Sequence, residues 1–122
     1  MNTCIFLTRV AHTSLLQVLL LSHNSLADVP AEIFRFNTNL RFLDMSHNRL
    51  RALPDNFLSH DSMERLDVSH NLLSRPPVTS LGPAAAATLC ELDLSYNTIA
   101  ALQNIDLFSR FKVCSCASYR PT

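Results

Sequence analysis

The chain has 122 residues, enough for one domain, and its 48% hydrophobic and 16% charged composition belongs to globular rather than disordered proteins. Ten basic and ten acidic residues cancel, so no long-range field draws nucleic acid or an anionic membrane. A single glycine, Gly82, leaves no loop able to cradle a nucleotide phosphate, and no apolar segment approaches the ~20 residues that span a bilayer.

Residues 1–15 carry no strand motif, but Ile5 and Val10 stand one repeat length before Val29 and Phe34, which marks a partial N-terminal repeat. The apolar stretch from Leu15 to Leu21, with Arg9 ahead of it and Ser25, Leu26 and Ala27 behind, has the outline of a signal-peptide core. The same leucines fall into a stronger pattern, LxxLxLxxNxL. Its first copy is Leu16, Leu19, Leu21, Asn24 and Leu26, and its second is Leu40, Leu43, Met45, Asn48 and Leu50. The third is Met63, Leu66, Val68, Asn71 and Leu73, and the fourth is Leu89, Leu92, Leu94, Asn97 and Ile99. The asparagines are 24, 23 and 26 residues apart, inside the range of leucine-rich repeats. The repeats occupy 16–39, 40–62, 63–88 and 89–111.

Within each copy the apolar residues alternate with polar ones, as in Leu43-Asp44-Met45-Ser46, which predicts a short strand with one apolar face. One such strand cannot bury that face alone. Stacked as a parallel sheet, ~4.8 Å apart, the copies join into one core, so the expected fold is an α/β leucine-rich repeat solenoid. Asn24, Asn48, Asn71 and Asn97 are expected to form a buried ladder, since an amide both donates and accepts and can satisfy backbone groups where the chain bends.

The return segments Pro30-Ala31-Glu32-Ile33-Phe34 and Pro54-Asp55-Asn56-Phe57-Leu58 predict short helical or 3₁₀ turns, with each phenylalanine closing the core from the convex side. The later echoes at Pro76, Pro77, Leu81, Leu102 and Phe108 continue the same logic. After Gly82-Pro83, the alanines from Ala84 to Ala87 predict a slightly longer helix. Residues 112–122 leave the register and are expected to be an irregular tail carrying Cys114 and Cys116 as free thiols rather than the opening of a cysteine-rich cap. Cys90 is expected to be a small, semi-buried strand residue. Neither end shows a polar cap, so the chain is expected to be a fragment of a longer array and, alone, poorly soluble or loosely folded.

Opposite the leucines, stacking aligns four columns: Val18, Phe42, Arg65, Glu91; Leu20, Asp44, Asp67, Asp93; Ser22, Ser46, Ser69, Ser95; and His23, His47, His70, Tyr96. Aromatic and arginine side chains on a rigid scaffold suit recognition of a protein. The partner-binding candidates are Phe42, Asp44, His47, Arg65, Asp67, His70, Glu91, Asp93 and Tyr96. Considered singly, the aspartates and serines read as supports of the sheet. The histidine column invites a metal or pH-switch reading, but neighbouring ligands on a flat sheet do not enclose a tetrahedral site, and a solvated ladder is the plainer expectation. Asp44, Asp67 and Asp93 have roughly the spacing of a retaining glycosidase pair, yet a shallow sheet lacks a water-excluding pocket. Ser46 beside His47 lacks an orienting acid. No catalytic residue, metal or cofactor is assigned, and no enzyme activity is expected.

With Leu-Asp-Met-Ser-His-Asn, Leu-Asp-Val-Ser-His-Asn and Leu-Asp-Leu-Ser-Tyr-Asn in three copies, residues 16–108 resemble the extracellular and receptor leucine-rich repeats, a family that includes Toll-type receptors and neuronal adhesion proteins. The stretches Ser62 to Asn71 and Thr88 to Ser95 look most like its chaoptin-like members, insect photoreceptor surface proteins built almost wholly of such repeats and held by a lipid anchor. Adhesion between membranes, possible homophilic contact and a place at the cell surface, through parts outside this chain, are what that resemblance implies. The tail does not fit their continuing repeats. The alternative is an intracellular scaffold or the regulatory segment of a signalling protein, where LxxLP-like return segments also occur. The lack of any Asn-x-Ser/Thr site leans that way.

Overall fold

A computed structural model describes residues 15–31, 33–75 and 80–98, together with the backbone of 116–118. Its elements in chain order are β1 (Val18–Leu20), β2 (Phe42–Asp44), β3 (Arg65–Asp67), α1 (Pro83–Thr88), β4 (Glu91–Asp93) and β5 (Cys116–Ser118). All five strands form one parallel sheet in sequence order. Three-residue strands suffice because each copy needs only one buried position between two outward ones, and the middle residues Leu19, Leu43, Leu66 and Leu92 stand in register and are buried.

The core continues past the strands. Leu21, Met45, Val68 and Leu94 are buried one residue after the strands, while Leu40, Met63 and Leu89 are buried two residues before them. Strand-like pairing extends there too, with the Leu21 amide donating to the Asp44 carbonyl at 2.7 Å and the Met45 amide to that of Asp67 at 2.8 Å. Such stacking shelters each repeat's apolar residues between its neighbours.

On the convex side the return segments are turns. The Ile33 amide donates to the Pro30 carbonyl and the Asn37 amide to that of Phe34. Phe34 and Phe57 are buried, with ring centroids 6.0 Å apart and planes tilted by 52°, an edge-biased aromatic pair. The alanine run forms α1 as expected, with Pro83 in its first turn and Ala85 buried.

Two expectations are corrected. Residues 112–122 are not wholly irregular: Cys116–Ser118 pairs with β4, placing Ala117 opposite Leu92. Strand pairing is made by backbone groups, which a search for leucines does not detect. Cys90 is exposed rather than semi-buried, with its thiol donating to the Thr88 carbonyl at 3.5 Å, because it precedes β4 on the outward side. The partial repeat over 1–15 lies outside the described residues save for Leu15. So do Pro76, Pro77, Ile99, Leu102, Phe108 and the thiols of Cys114 and Cys116.

Candidate functional site

The outward face of the sheet rests on its turns, and the turns rest on the asparagines. Asn48 donates from Nδ2 to the carbonyls of Leu21, Met45 and Ser46, while its Oδ1 accepts from the amides of Asn24 and Leu26 in the preceding repeat. Asn71 and Asn97 repeat the arrangement one and two copies on, accepting from the amides of Leu50 and Leu73. These three are buried, whereas Asn24 is half-buried and, among the described residues, donates from its side chain to the Ser22 carbonyl. Among the described residues the ladder therefore has three buried rungs and one half-buried rung, Asn24.

The serines support the sheet as expected, but from buried positions rather than from the outward face. Ser46, Ser69 and Ser95 are buried, each with its amide and hydroxyl donating to Oδ1 of the aspartate two residues before it. The serine hydroxyls are thus spent on fixing the aspartates and are absent from the presented surface. One oxygen of each of Asp44, Asp67 and Asp93 is engaged in this way, and the residues themselves are half-buried.

The first outward row, Val18, Phe42, Arg65 and Glu91, runs in register across β1 to β4. The Arg65 guanidinium carbon lies 4.7 Å from the Phe42 ring centroid, and its Nε is 2.5 Å from Glu91 Oε2. Arginine is thereby oriented by an aromatic face on one side and a carboxylate on the other. A shallow groove lined by Phe42, Arg65, Asp67, Glu91 and Asp93 lies over this row. Beside it, Arg41 and Glu64 form a two-toothed ion pair, with contacts of 3.0 and 3.1 Å, which sequence reasoning missed.

His23, His47, His70 and Tyr96 lie beyond the strand ends, in left-handed backbone at φ 60°, 54°, 54° and 57°. Their rings are exposed and stack with centroid separations of 4.3, 4.1 and 4.3 Å and interplanar angles of 10–16°. The column is thus an aromatic stack, not merely a row of solvated side chains. A residue outside glycine pays roughly 1–2 kcal/mol for left-handed backbone, and ring stacking of about 0.5–1.5 kcal/mol per pair is of the size needed to offset it. Among the described residues no group of three or more His, Cys, Asp or Glu side chains is arranged to hold a metal ion. His60, also missed, ties two convex turns together through Nε2 and the Phe34 carbonyl.

In-register short strands, an asparagine at each turn and a leucine-filled interior define a leucine-rich repeat solenoid. The leucine rich repeat family matches residues 14–73, and this stretch of the chain belongs to it. It is similar to chaoptin of Tribolium castaneum, 57% identical over 53 residues that make up 43% of this chain and 7% of that protein. It is also similar to Tsukushi of Mus musculus, 38% identical over 94 residues (74% of this chain, 26% of that protein). A third relative is Toll-like receptor 5 of Homo sapiens, 39% identical over 82 residues (67% and 9%). The chain thus spans about a quarter or less of the length of these relatives.

Proposed function

We propose that this chain is a protein-binding module of a cell-surface adhesion protein or receptor, and that it takes its partner on the outward face of β1 to β4 without catalysing a reaction. The observation that carries the reading is the row of Phe42, Arg65 and Glu91, in which an arginine is held ready between an aromatic ring and a carboxylate on a sheet braced by buried asparagines. Pre-oriented arginine and aromatic side chains lose little freedom on contact and supply anchoring area. His47, His70 and Tyr96 extend the candidate surface beyond the strand ends, and Asp44, Asp67 and Asp93 edge it. The groove is too shallow to exclude water, which fits binding rather than turnover. Likeness to a protein named as a Toll-like receptor supports the cell-surface placement.

The test displays the full-length protein on cells and measures their adhesion to cells that naturally express it. Substituting Phe42→Ala with Arg65→Ala is expected to weaken adhesion while surface display, read by antibody, stays the same. Unchanged adhesion would refute the assignment of this face. One observation favours a second reading, an intracellular scaffold: the chain has no Asn-x-Ser/Thr site. Surface biotinylation of the tagged full-length protein in intact cells separates the two, since only an exposed protein is labelled.

A further inference from the structure

The second outward row differs in character from the first. Leu20, Asp44, Asp67 and Asp93 follow one another in register across four strands. At its head Leu20 is 62% exposed, and Val18, on the same face of β1, is 53% exposed. Phe42, the register neighbour of Val18, is half-buried. A single exposed leucine needs no explanation, but adjoining outward Val, Leu and Phe side chains on neighbouring strands make a patch that a binding partner would cover.

The remainder of the row is acidic, and among the described residues no ion pair balances it. Among the described residues the ion pairs next to it, Arg65 with Glu91 and Arg41 with Glu64, are each neutral within themselves. Each aspartate is aimed by its own serine, so the carboxylates are fixed rather than free to swing away. At a strand spacing of ~4.8 Å the three span roughly 10 Å beside the apolar patch. The face is therefore divided into an apolar end over β1 and β2 and a negative end over β2 to β4.

We propose that the occupant of this face is a basic segment of a partner protein, with an apolar side chain seated against Val18, Leu20 and Phe42 and two or more Lys or Arg side chains over Asp44, Asp67 and Asp93. This rests on the reading of the outward sheet face as the recognition surface, and adds to it the chemistry and direction of the ligand. Charge alone would hold such a segment weakly in salt, and apolar contact alone would not select it; the two side by side do both.

The probes are short soluble peptides of alternating leucine and lysine, of leucine and glutamate, and of glycine and lysine, titrated against the full-length protein. The leucine–lysine peptide is expected to bind about tenfold more tightly than either control, and its affinity to fall with added salt. Asp44→Asn, Asp67→Asn and Asp93→Asn together keep an Oδ1 acceptor for each serine while removing the charge, and are expected to cut the affinity about tenfold and flatten the salt dependence. Leu20→Ser is expected to weaken binding without changing that salt dependence. Equal binding of the leucine–glutamate peptide, or indifference to the triple variant, would overturn the proposal, as would a dimer of this chain whose dissociation follows the same substitutions. In the adhesion assay, loss with Phe42→Ala and Arg65→Ala but not with the triple variant would overturn this inference and leave the recognition reading standing. Indifference to both would overturn both.

Discussion

Replacing Asn48 with alanine tests the physical basis of the solenoid, because its side chain serves two repeats at once. The substitution strands the amides of Asn24 and Leu26, which both donate to Asn48 Oδ1. An unmade hydrogen bond at a buried donor costs about 1–3 kcal/mol. Two of the three carbonyls lose less, since that of Met45 still accepts from Asn71 Nδ2 and that of Ser46 from the His23 amide, while that of Leu21 loses its bond from Asn48. Water can reach the half-buried Asn24 amide, so the total is about 3–4 kcal/mol, near a third of the stability of an ordinary domain. Among the described residues Asn24→Ala removes one half-buried donation, and it is expected to cost about 0.5–1 kcal/mol. Urea unfolding of the full-length protein, followed by circular dichroism, reads both. With a slope of about 2 kcal/mol per molar, Asn48→Ala moves the midpoint down by about 1.5–2 M and Asn24→Ala by less than about 0.5 M. Equal shifts would refute the claim that the ladder is a chain of inter-repeat bonds whose value depends on burial.

Other substitutions examine the remaining layers. Leu66→Ala, at a position 1% exposed in the middle of the sheet, is expected to cost about 2–5 kcal/mol by the same unfolding measurement, whereas Leu20→Ala, on the outward face, should stay within about 0.5 kcal/mol. His47→Gly relieves left-handed backbone worth roughly 1–2 kcal/mol but removes two ring contacts worth about 0.5–1.5 kcal/mol each, so stability should change by less than about 1 kcal/mol. His47→Val keeps the strain, loses the rings and should cost about 1–3 kcal/mol, so equal effects of the two would argue against this balance. Gly82→Ala places a methyl 3.2 Å from the Ser59 Cα, a backbone atom that cannot swing aside, and a cost of about 1–2 kcal/mol is expected in thermal unfolding.

Much of this molecule is legible from the spacing of its leucines and asparagines. The LxxLxLxxNxL register alone places Leu43, Leu66 and Leu92 side by side, because a period-two strand that must hide one face leaves a single way to stack its copies. Asp44, Asp67 and Asp93 follow as an outward column from the same alternation, as does the row of Phe42, Arg65 and Glu91. What the one-dimensional pattern could not decide was the fate of side chains where strands give way to turns. There the alternation rule lapses: Ser46, Ser69 and Ser95 turn inward to their aspartates, while His47, His70 and Tyr96 swing out in left-handed backbone and stack.

The fifth strand is the clearest case of the same limit. Cys116–Ser118 carries none of the expected leucines, yet it pairs with β4, because an edge strand offers unsatisfied backbone donors and acceptors to any chain that can lie extended beside it. Side-chain periodicity, which is local, determined where the repeats lie and which face they bury. Distances between residues about a repeat apart, which exist only once the copies are stacked, decided that Asn48 braces its predecessor's turn, that Arg65 lies on Phe42 and that four separate rings make one stack.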